Sequence, residues 1–112
     1  LYPTLIDLCD LGENKALEGR SLVPLLANPK AKRNRPSLTT HGRNNHALRT
    51  ARWRYIRYAD GSEELYDHAA DPNEWTNLAN FKKHAAVKRE LAQWFPKKNV
   101  PNAPARKAAN KK

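Results

Sequence analysis

The segment "WRYIRYADGSEELYDH", residues 53–68, decides the fold of this 112-residue chain. In its first part, Trp53, Tyr55 and Arg57 alternate with Arg54, Ile56 and Tyr58, and β-branched and aromatic residues favour a pleated surface. Asp60 and Gly61 form a dipeptide that is typical of short hairpin turns. After this turn, Leu65 and Asp67 alternate with Glu64 and Tyr66, so that the two pairs face opposite sides. The segment therefore predicts two antiparallel strands, at 53–59 and 63–68, joined by a tight turn.

Two further strands are predicted before this hairpin. The stretches "SLTTHG", 37–42, and "HALRTAR", 46–52, are separated by the turn residues Gly42, Asn44 and Asn45. Consecutive strands with short connections usually pair with their neighbours in the chain. The sequence therefore predicts a small antiparallel sheet of three to four strands, arranged as a meander.

The hydrophobic period changes after the strands. The stretch "FKKHAAVKRELAQWF", 81–95, places Val87, Leu91 and Trp94 at helical spacing, and Pro96 ends the pattern. An amphipathic helix needs an apolar surface to cover. We therefore predict that the aromatic side chains of the sheet form one core face beneath this helix, while the arginines form a solvated face.

Short helices are predicted at residues 2–11 and 21–28, with Ser21 as the N-cap of the second. Cys9, the one cysteine, excludes an internal disulfide and lies on the apolar side of the first helix, where we predict a buried structural thiol. The fold class is therefore α+β: a small antiparallel sheet of three to four strands packed against a C-terminal amphipathic helix, with short N-terminal helices.

The formal net charge of +10 is unevenly distributed. Residues 96–112 contain six Lys or Arg, three prolines and no acidic residue, so we predict a disordered basic tail after a folded domain at 1–95. The moderate basicity of the folded part suits nucleic acid or a sulfated or carboxylated glycan, or is an ordinary solvated surface. The sequence has no signal-peptide pattern, and no apolar run approaches the roughly 20 residues of a membrane span.

The stretch "THGRNNHALR", 40–49, concentrates polar side chains around one strand connection. Arginine offers a planar fork for sulfate or carboxylate, and His or Asn add directional hydrogen bonds. The stretch is either a binding loop or an ordinary polar hairpin. The predicted substrate-binding residues are His41, Arg43, Asn45, His46 and Arg49. We predict no catalytic residue and no metal ligand, since the spacing of His41 and His46 alone is a weak metal signal.

The stretch "ELYDHAADPNEWTNLA", 64–79, breaks at Asp71-Pro72, where proline fixes a sharp exit from the last strand. We predict that Asp71 and Asn73 cap local backbone groups, and that Trp75 and Leu78 anchor the exit segment against the core. The stretch resembles the closing segment of the type I sulfatases, with the pattern L-Y-D-x-x-x-D-P-x-E-x-x-N-L. It matches at Leu65, Tyr66, Asp67, Asp71, Pro72, Glu74, Asn77 and Leu78.

Three more segments resemble sulfatases in the same order: "LYPTLIDLCDLG", "LEGRSLVPLLANP" and "ALRTARWRYIRYADGSEELYD". The resemblance covers about residues 1–95 and is nearest to the bacterial iduronate-2-sulfatase-like group. It implies the C-terminal subdomain of a larger, alkaline-phosphatase-like enzyme that hydrolyses a sulfated carbohydrate in the periplasm or outside the cell. It also implies that the substrate cleft borders this subdomain, and that the remaining catalytic domain is its partner.

The resemblance implies that calcium and a formylglycine lie upstream of this sequence. Formylglycine forms from Cys or Ser in a C/S-x-P-x-R motif, whereas "DLGE" follows Cys9. The alternative interpretations are a small basic nucleic-acid-binding domain and, less favoured, a stand-alone adaptor module. A start inside an apolar helix argues against both alternatives.

Overall fold

The computed structural model describes residues 1–101 and 103. The chain divides into two compact units, the first comprising Leu1–Asn34 and the second beginning at Arg35. The elements in chain order are α1 (Tyr2–Leu8), α2 (Val23–Ala27), β1 (Ser37–Thr40), β2 (His46–Arg49), β3 (Trp53–Arg57), β4 (Glu63–Asp67), a 3-10 helix (Lys82–His84) and α3 (Ala85–Ala92). Within the described part of the chain, no helix has both the length and the apolar character needed to cross a membrane.

The sheet has four antiparallel strands in the order β1-β2-β3-β4, which confirms the predicted meander. The register places Leu48 opposite Tyr55 and Tyr55 opposite Leu65, and all three side chains are fully buried. Leu91 of α3 completes this core, with Val87 packed beside it. The α+β prediction is therefore confirmed, although each strand is shorter than predicted because turn residues do not extend the ladder. The predicted aromatic core face is confirmed only for Trp53 and Tyr55, since Tyr58 is 36% exposed and Tyr66 lies opposite Arg54 on the other face of the sheet.

The C-terminal helix is shorter than predicted, and its apolar face does not include every residue predicted for it. The backbone N–H of Trp94 bonds the carbonyl of Leu91, three residues earlier, so the chain tightens beyond α3. This change of period leaves Trp94 44% exposed and brings Phe95 against the core instead. The prediction that Trp94 continues the apolar stripe was wrong, because the stripe lasts only as long as the helical period.

In the first unit, the hydroxyl of the buried Thr4 accepts a hydrogen bond from the backbone N–H of Leu22 at 3.0 Å. This bond joins α1 to the start of α2. Ser21 is not the N-cap, which is Leu22. Its hydroxyl still accepts a bond from the N–H of Val23 at 3.1 Å, so it satisfies a helix-terminal donor from one residue further back.

Cys9 is exposed, so the prediction of a buried thiol was wrong. Helix α1 ends at Leu8, and Cys9 is its C-cap. Leu5 and Leu8, which share the apolar side of α1, are themselves more than half exposed, because no element of the first unit covers that side.

The exit segment runs along the free edge of β4. The carboxylate of Asp71 accepts a bond from the N–H of Thr76 at 2.8 Å, as predicted for a local cap. The side-chain oxygen of Asn77 accepts from the N–H of Leu65 at 3.0 Å, and the N–H of Leu78 bonds the carbonyl of Leu65 at 2.7 Å. These bonds satisfy strand groups that an edge otherwise exposes.

Leu78 packs against the core as predicted, but Trp75 is 84% exposed, so its predicted role as an anchor was wrong. Glu74 has a φ of 59°, which closes the turn, and the chain rejoins the sheet only at Asn77. Trp75 lies between these two points, where the turn faces solvent.

The predicted tail at 96–112 is described only in part. Asn99 is half-buried and contacts the β1–β2 connection, while the disorder of the tail as a whole stays a prediction. Residue 102 and residues 104–112 lie outside the described residues.

Candidate functional site

The connection between β1 and β2 holds most of the predicted binding residues. His41 donates its backbone N–H to the carbonyl of Asn45 at 3.0 Å, which closes the turn. Gly42 and Asn44 have φ of 69° and 65°, a left-handed conformation that Gly and Asn adopt more readily than other residues. The side chains of His41 and Arg43 lie on this turn and are exposed.

Asn45 shapes the turn with both ends of its amide. Its side-chain nitrogen donates to the carbonyl of Arg43 at 3.1 Å, within the turn. Its side-chain oxygen accepts from the N–H of Ala59 at 3.1 Å, just beyond β3. Asn45 therefore ties the β1–β2 turn to the neighbouring end of the hairpin, and its amide is already engaged within the protein.

His46 belongs to the core face of the sheet and is only 6% exposed. Its Nδ1 lies 2.9 Å from the hydroxyl of Thr40, and its ring packs at 5.8 Å from that of Phe95. Burial, together with the nearby Arg57 guanidinium, lowers the pKa of His46 below its usual value. Both effects favour the neutral form of the imidazole beneath the turn.

Asn99 determines which ring nitrogen of His46 carries the proton. The side-chain oxygen of Asn99 accepts from the backbone N–H of Asn44 at 3.3 Å, which fixes the orientation of the amide because a backbone N–H only donates. The amide nitrogen then donates to the side-chain oxygen of Asn44 and to Nε2 of His46, the latter at 3.3 Å. Nε2 therefore accepts, and Nδ1–H donates to Thr40.

Arg49 lies apart from the other four residues. It is three positions beyond His46 on β2, so it belongs to the opposite face of the sheet, about 10 Å further along the strand. Its guanidinium donates to the carbonyl of Thr50 and, at 2.7 Å, to Nδ1 of His68. Because arginine only donates, Nδ1 of His68 accepts, and Nε2–H donates to Glu74 at 2.5 Å.

The structure therefore brings together four of the five predicted binding residues, His41, Arg43, Asn45 and His46, and separates Arg49 from them. We call these four residues, with Asn44, the β1–β2 turn cluster. Asn44 and Asn99 were missed as site residues. Asn44 lies within the predicted stretch, whereas nothing near Asn99 in the sequence indicates a partner 55 positions earlier.

The arginines of β3 and its entry are paired with carboxylates. Arg52 makes two bonds to Asp67, at 2.8 and 2.6 Å. Arg54 lies 2.9 Å from Glu74, and Arg57 lies 3.4 Å from Glu63. These pairs compensate the positive charge that an Arg-aromatic platform for nucleic acid would need, and the structure therefore offers no support for the nucleic-acid alternative.

The described residues do not fit the calcium and formylglycine that the sulfatase resemblance implies. Across residues 1–101 and 103, no three His, Cys, Asp or Glu side chains converge so that they could hold a metal ion. Cys9 precedes Asp10 and Leu11, not the proline-containing motif that formylglycine formation requires. No chemical step is therefore assigned to either group here.

Comparisons with known proteins give a consistent family. A sulfatase of Formosa agariphila is 41% identical over 100 residues, which cover 89% of this chain and 20% of that protein. A delta 4,5-hexuronate-2-O-sulfatase of Bacteroides thetaiotaomicron is 35% identical over 102 residues, which cover 80% of this chain and 21% of that protein. A solved structure of a 2-O GAG sulfatase superposes with a TM-score of 0.64 at 28% sequence identity. The superposition covers 83% of this chain and 22% of that structure's chain.

The chain thus spans about a fifth of the length of the curated relatives that it matches. The resemblance to sulfatases that the sequence carries is confirmed by these relatives. The model of one family, described as N-sulphoglucosamine sulphohydrolase, C-terminal, matches residues 1–100, nearly the whole chain. The chain therefore belongs to the N-sulphoglucosamine sulphohydrolase C-terminal family, whose relatives here are sulfatases.

Proposed function

We propose that this chain is the C-terminal portion of a sulfatase that hydrolyses sulfate esters of a sulfated carbohydrate, and that its β1–β2 turn cluster contacts the sugar. The observation that carries the proposal is the family match over residues 1–100. We assign bond cleavage to the rest of the protein, because the matching family model is described as C-terminal and the chain spans about a fifth of the length of its relatives.

The proposed substrate class is a glycan with 2-O-sulfated uronic acid. One curated relative is named as a hexuronate-2-O-sulfatase, and one solved structure is described as a 2-O GAG sulfatase. A uronate carries a carboxylate, which a guanidinium binds with a fork of two parallel hydrogen bonds. Arg43, on an exposed turn, is the residue of the cluster best suited to that contact.

The other predicted binding residues take different parts in this proposal. His41 is exposed beside Arg43 and donates to, or accepts from, a sugar hydroxyl. Asn45 and His46 support the turn from beneath, since their polar atoms already have partners in the protein. Arg49 belongs to the opposite sheet face and contributes to recognition only if the glycan extends to that side.

The remaining parts of the proposal concern the rest of the protein. The sulfatase resemblance supports calcium and formylglycine in the catalytic domain, which is the proposed partner of this chain. It also supports a periplasmic or extracellular location, where sulfated glycans occur. The apolar side of α1, with Leu5 and Leu8 exposed, is the surface we propose to pack against that catalytic domain.

The test uses the complete sulfatase with the single variants Arg43→Ala and His41→Ala. We expect Arg43→Ala to raise KM for a 2-O-sulfated uronate oligosaccharide about tenfold or more, because a charged hydrogen bond to substrate is lost. Cleavage of a small aryl sulfate, which has no uronate, should be unchanged. His41→Ala should have a smaller effect in the same direction.

Arg89→Ala is the matched control, since Arg89 is an exposed arginine on α3. It removes the same charge and should leave KM for both substrates unchanged. Equal KM values for Arg43→Ala, Arg89→Ala and the unsubstituted enzyme on the oligosaccharide would show that the cluster does not contact substrate.

A further inference from the structure

The segment that follows α3 reaches the β1–β2 turn cluster through a single side chain. Asn99 is half-buried, whereas its neighbours Lys98 and Val100 are exposed. Its amide meets three groups of the turn: the backbone N–H of Asn44, the side-chain oxygen of Asn44 and Nε2 of His46. Each donor faces an acceptor, so the amide fits in one orientation only.

The contact falls at the one residue of the turn other than glycine that has a positive φ. Asn44 has a φ of 65°, in the left-handed region. Asn adopts this conformation more readily than most residues but less readily than glycine, so contacts from surrounding groups help to hold it there. Asn99 bonds Asn44 on both its backbone and its side chain. Arg43 and Asn45 flank Asn44, so a change in this conformation would re-aim the exposed side chains of the turn.

We propose that Asn99 is a positioning residue for substrate recognition: it holds Asn44 in its left-handed conformation above His46, and thereby keeps His41 and Arg43 in one arrangement toward the glycan. The inference rests on the proposed function, in which these two side chains contact the sugar. Preorganisation of this kind improves binding because less conformational freedom is lost when the ligand arrives.

The test again uses the complete sulfatase, with two readouts. We expect Asn99→Ala to increase deuterium uptake in peptides covering residues 40–46, and to raise KM for the 2-O-sulfated uronate oligosaccharide about three- to tenfold with little change in kcat. Val100→Ala is the matched control, since Val100 is the exposed neighbour in the same segment. It should change neither readout.

Asn99→Asp gives a pH signature that a merely structural residue would not give. The carboxylate keeps the acceptor for the backbone N–H of Asn44 but removes the donor that faces both the side-chain oxygen of Asn44 and Nε2 of His46. It regains the contact with His46 only when His46 is protonated, a state that the negative charge of the carboxylate favours. The charged group that acts on His46 is Arg57 on β3, and the Arg57 guanidinium pairs in turn with Glu63, which also bonds Lys88 of α3. We expect the KM defect of Asn99→Asp to be larger at pH 8 than at pH 6.

The outcomes separate this inference from the proposed function. If Arg43→Ala raises KM while Asn99→Ala changes neither KM nor exchange, the positioning role is overturned and the proposed function stands. If exchange rises in Asn99→Ala but neither variant changes KM, Asn99 orders a turn that does not serve recognition, and both the positioning role and the proposed substrate contact of the turn cluster are overturned. Similar KM defects of Asn99→Asp at pH 6 and pH 8 would also overturn the positioning role.

Discussion

At the scale of single residues, His46 shows how burial and hydrogen bonding select one protonation state. The ring is 6% exposed, Thr40 accepts from one nitrogen and Asn99 donates to the other. A second proton on the ring would meet the amide of Asn99 as donor against donor, in a site that already lies near Arg57. Folding therefore favours the neutral imidazole.

This preference predicts a pH dependence of stability. The unfolded chain protonates His46 near pH 6.5, whereas the lowered pKa of the folded state delays protonation to a lower pH. The contribution of His46 to the free energy of unfolding is therefore full above pH 6.5 and is lost as the pH falls through the folded pKa. Urea unfolding should show this loss between pH 7.5 and pH 5.5.

The non-titrating variant His46→Gln isolates this contribution. It will be less stable than the unsubstituted protein at pH 7.5, but its free energy of unfolding should fall less steeply toward pH 5.5. The difference in slope is at most about 1.4 kcal/mol per pH unit for one proton. Identical slopes for the two proteins would contradict the assignment of His46 as the titrating group.

At the scale of elements, the exit segment acts as a substitute fifth strand beside β4. Asn77 contributes both ends of its amide: the oxygen accepts from the N–H groups of Leu65 and Ala79, and the nitrogen donates to the carbonyl of Glu63. These bonds explain physically why the sulfatase-like pattern L-Y-D-x-x-x-D-P-x-E-x-x-N-L contains an asparagine, which is Asn77 here. The residue closes the sheet edge that the preceding tyrosine-containing strand leaves open.

The variant Asn77→Ala tests this role. It leaves the N–H of Leu65 without its side-chain partner, and we expect it to lower the free energy of unfolding by about 1–3 kcal/mol. Thr76→Ala is the control, because the bond from Thr76 to Asp71 uses its backbone N–H and its side chain is exposed. A change of less than about 0.5 kcal/mol is expected there. Equal denaturation midpoints for both variants would contradict the role of Asn77.

At the scale of the whole molecule, the two units differ in how far they bury their apolar residues. The unit that begins at Arg35 has a continuous core centred on Leu48, Tyr55 and Leu65. The first unit leaves several large apolar side chains more than half exposed: Leu1, Tyr2, Leu5, Leu8, Leu11 and Leu26. Exposed apolar side chains in such a group are typical of a surface that another part of the protein covers.

Substitutions on α1 test this interpretation in the complete sulfatase. If the catalytic domain covers α1, Leu5→Ser and Leu8→Ser should each lower the free energy of unfolding by about 1.5–3 kcal/mol, the amount expected for a buried leucine. Lys15→Ser, in the polar loop after α1, should change it by less than about 0.5 kcal/mol. Values as small as that for the leucine variants would show that α1 remains exposed.

The sequence by itself determined the kinds of element, their order and the family. Alternation with period 2 in residues 53–68 predicts strands whatever surrounds them, and the helical period of 81–95 predicts the covering helix. Period-2 alternation along a strand also indicates that Arg49 does not belong with His46 in one site. His46 and Arg49 are an odd number of residues apart on one strand, so their side chains lie on opposite faces.

Only the tertiary structure decided which side chains meet at the candidate site. Asn99 bonds Asn44 across 55 positions of sequence, and such a contact leaves no local pattern because it depends on where α3 ends. The exposures of Cys9, Trp75 and Trp94 were likewise decided by helix ends and turn geometry, since a pattern gives the apolar character of a side chain but not whether a surface lies opposite it.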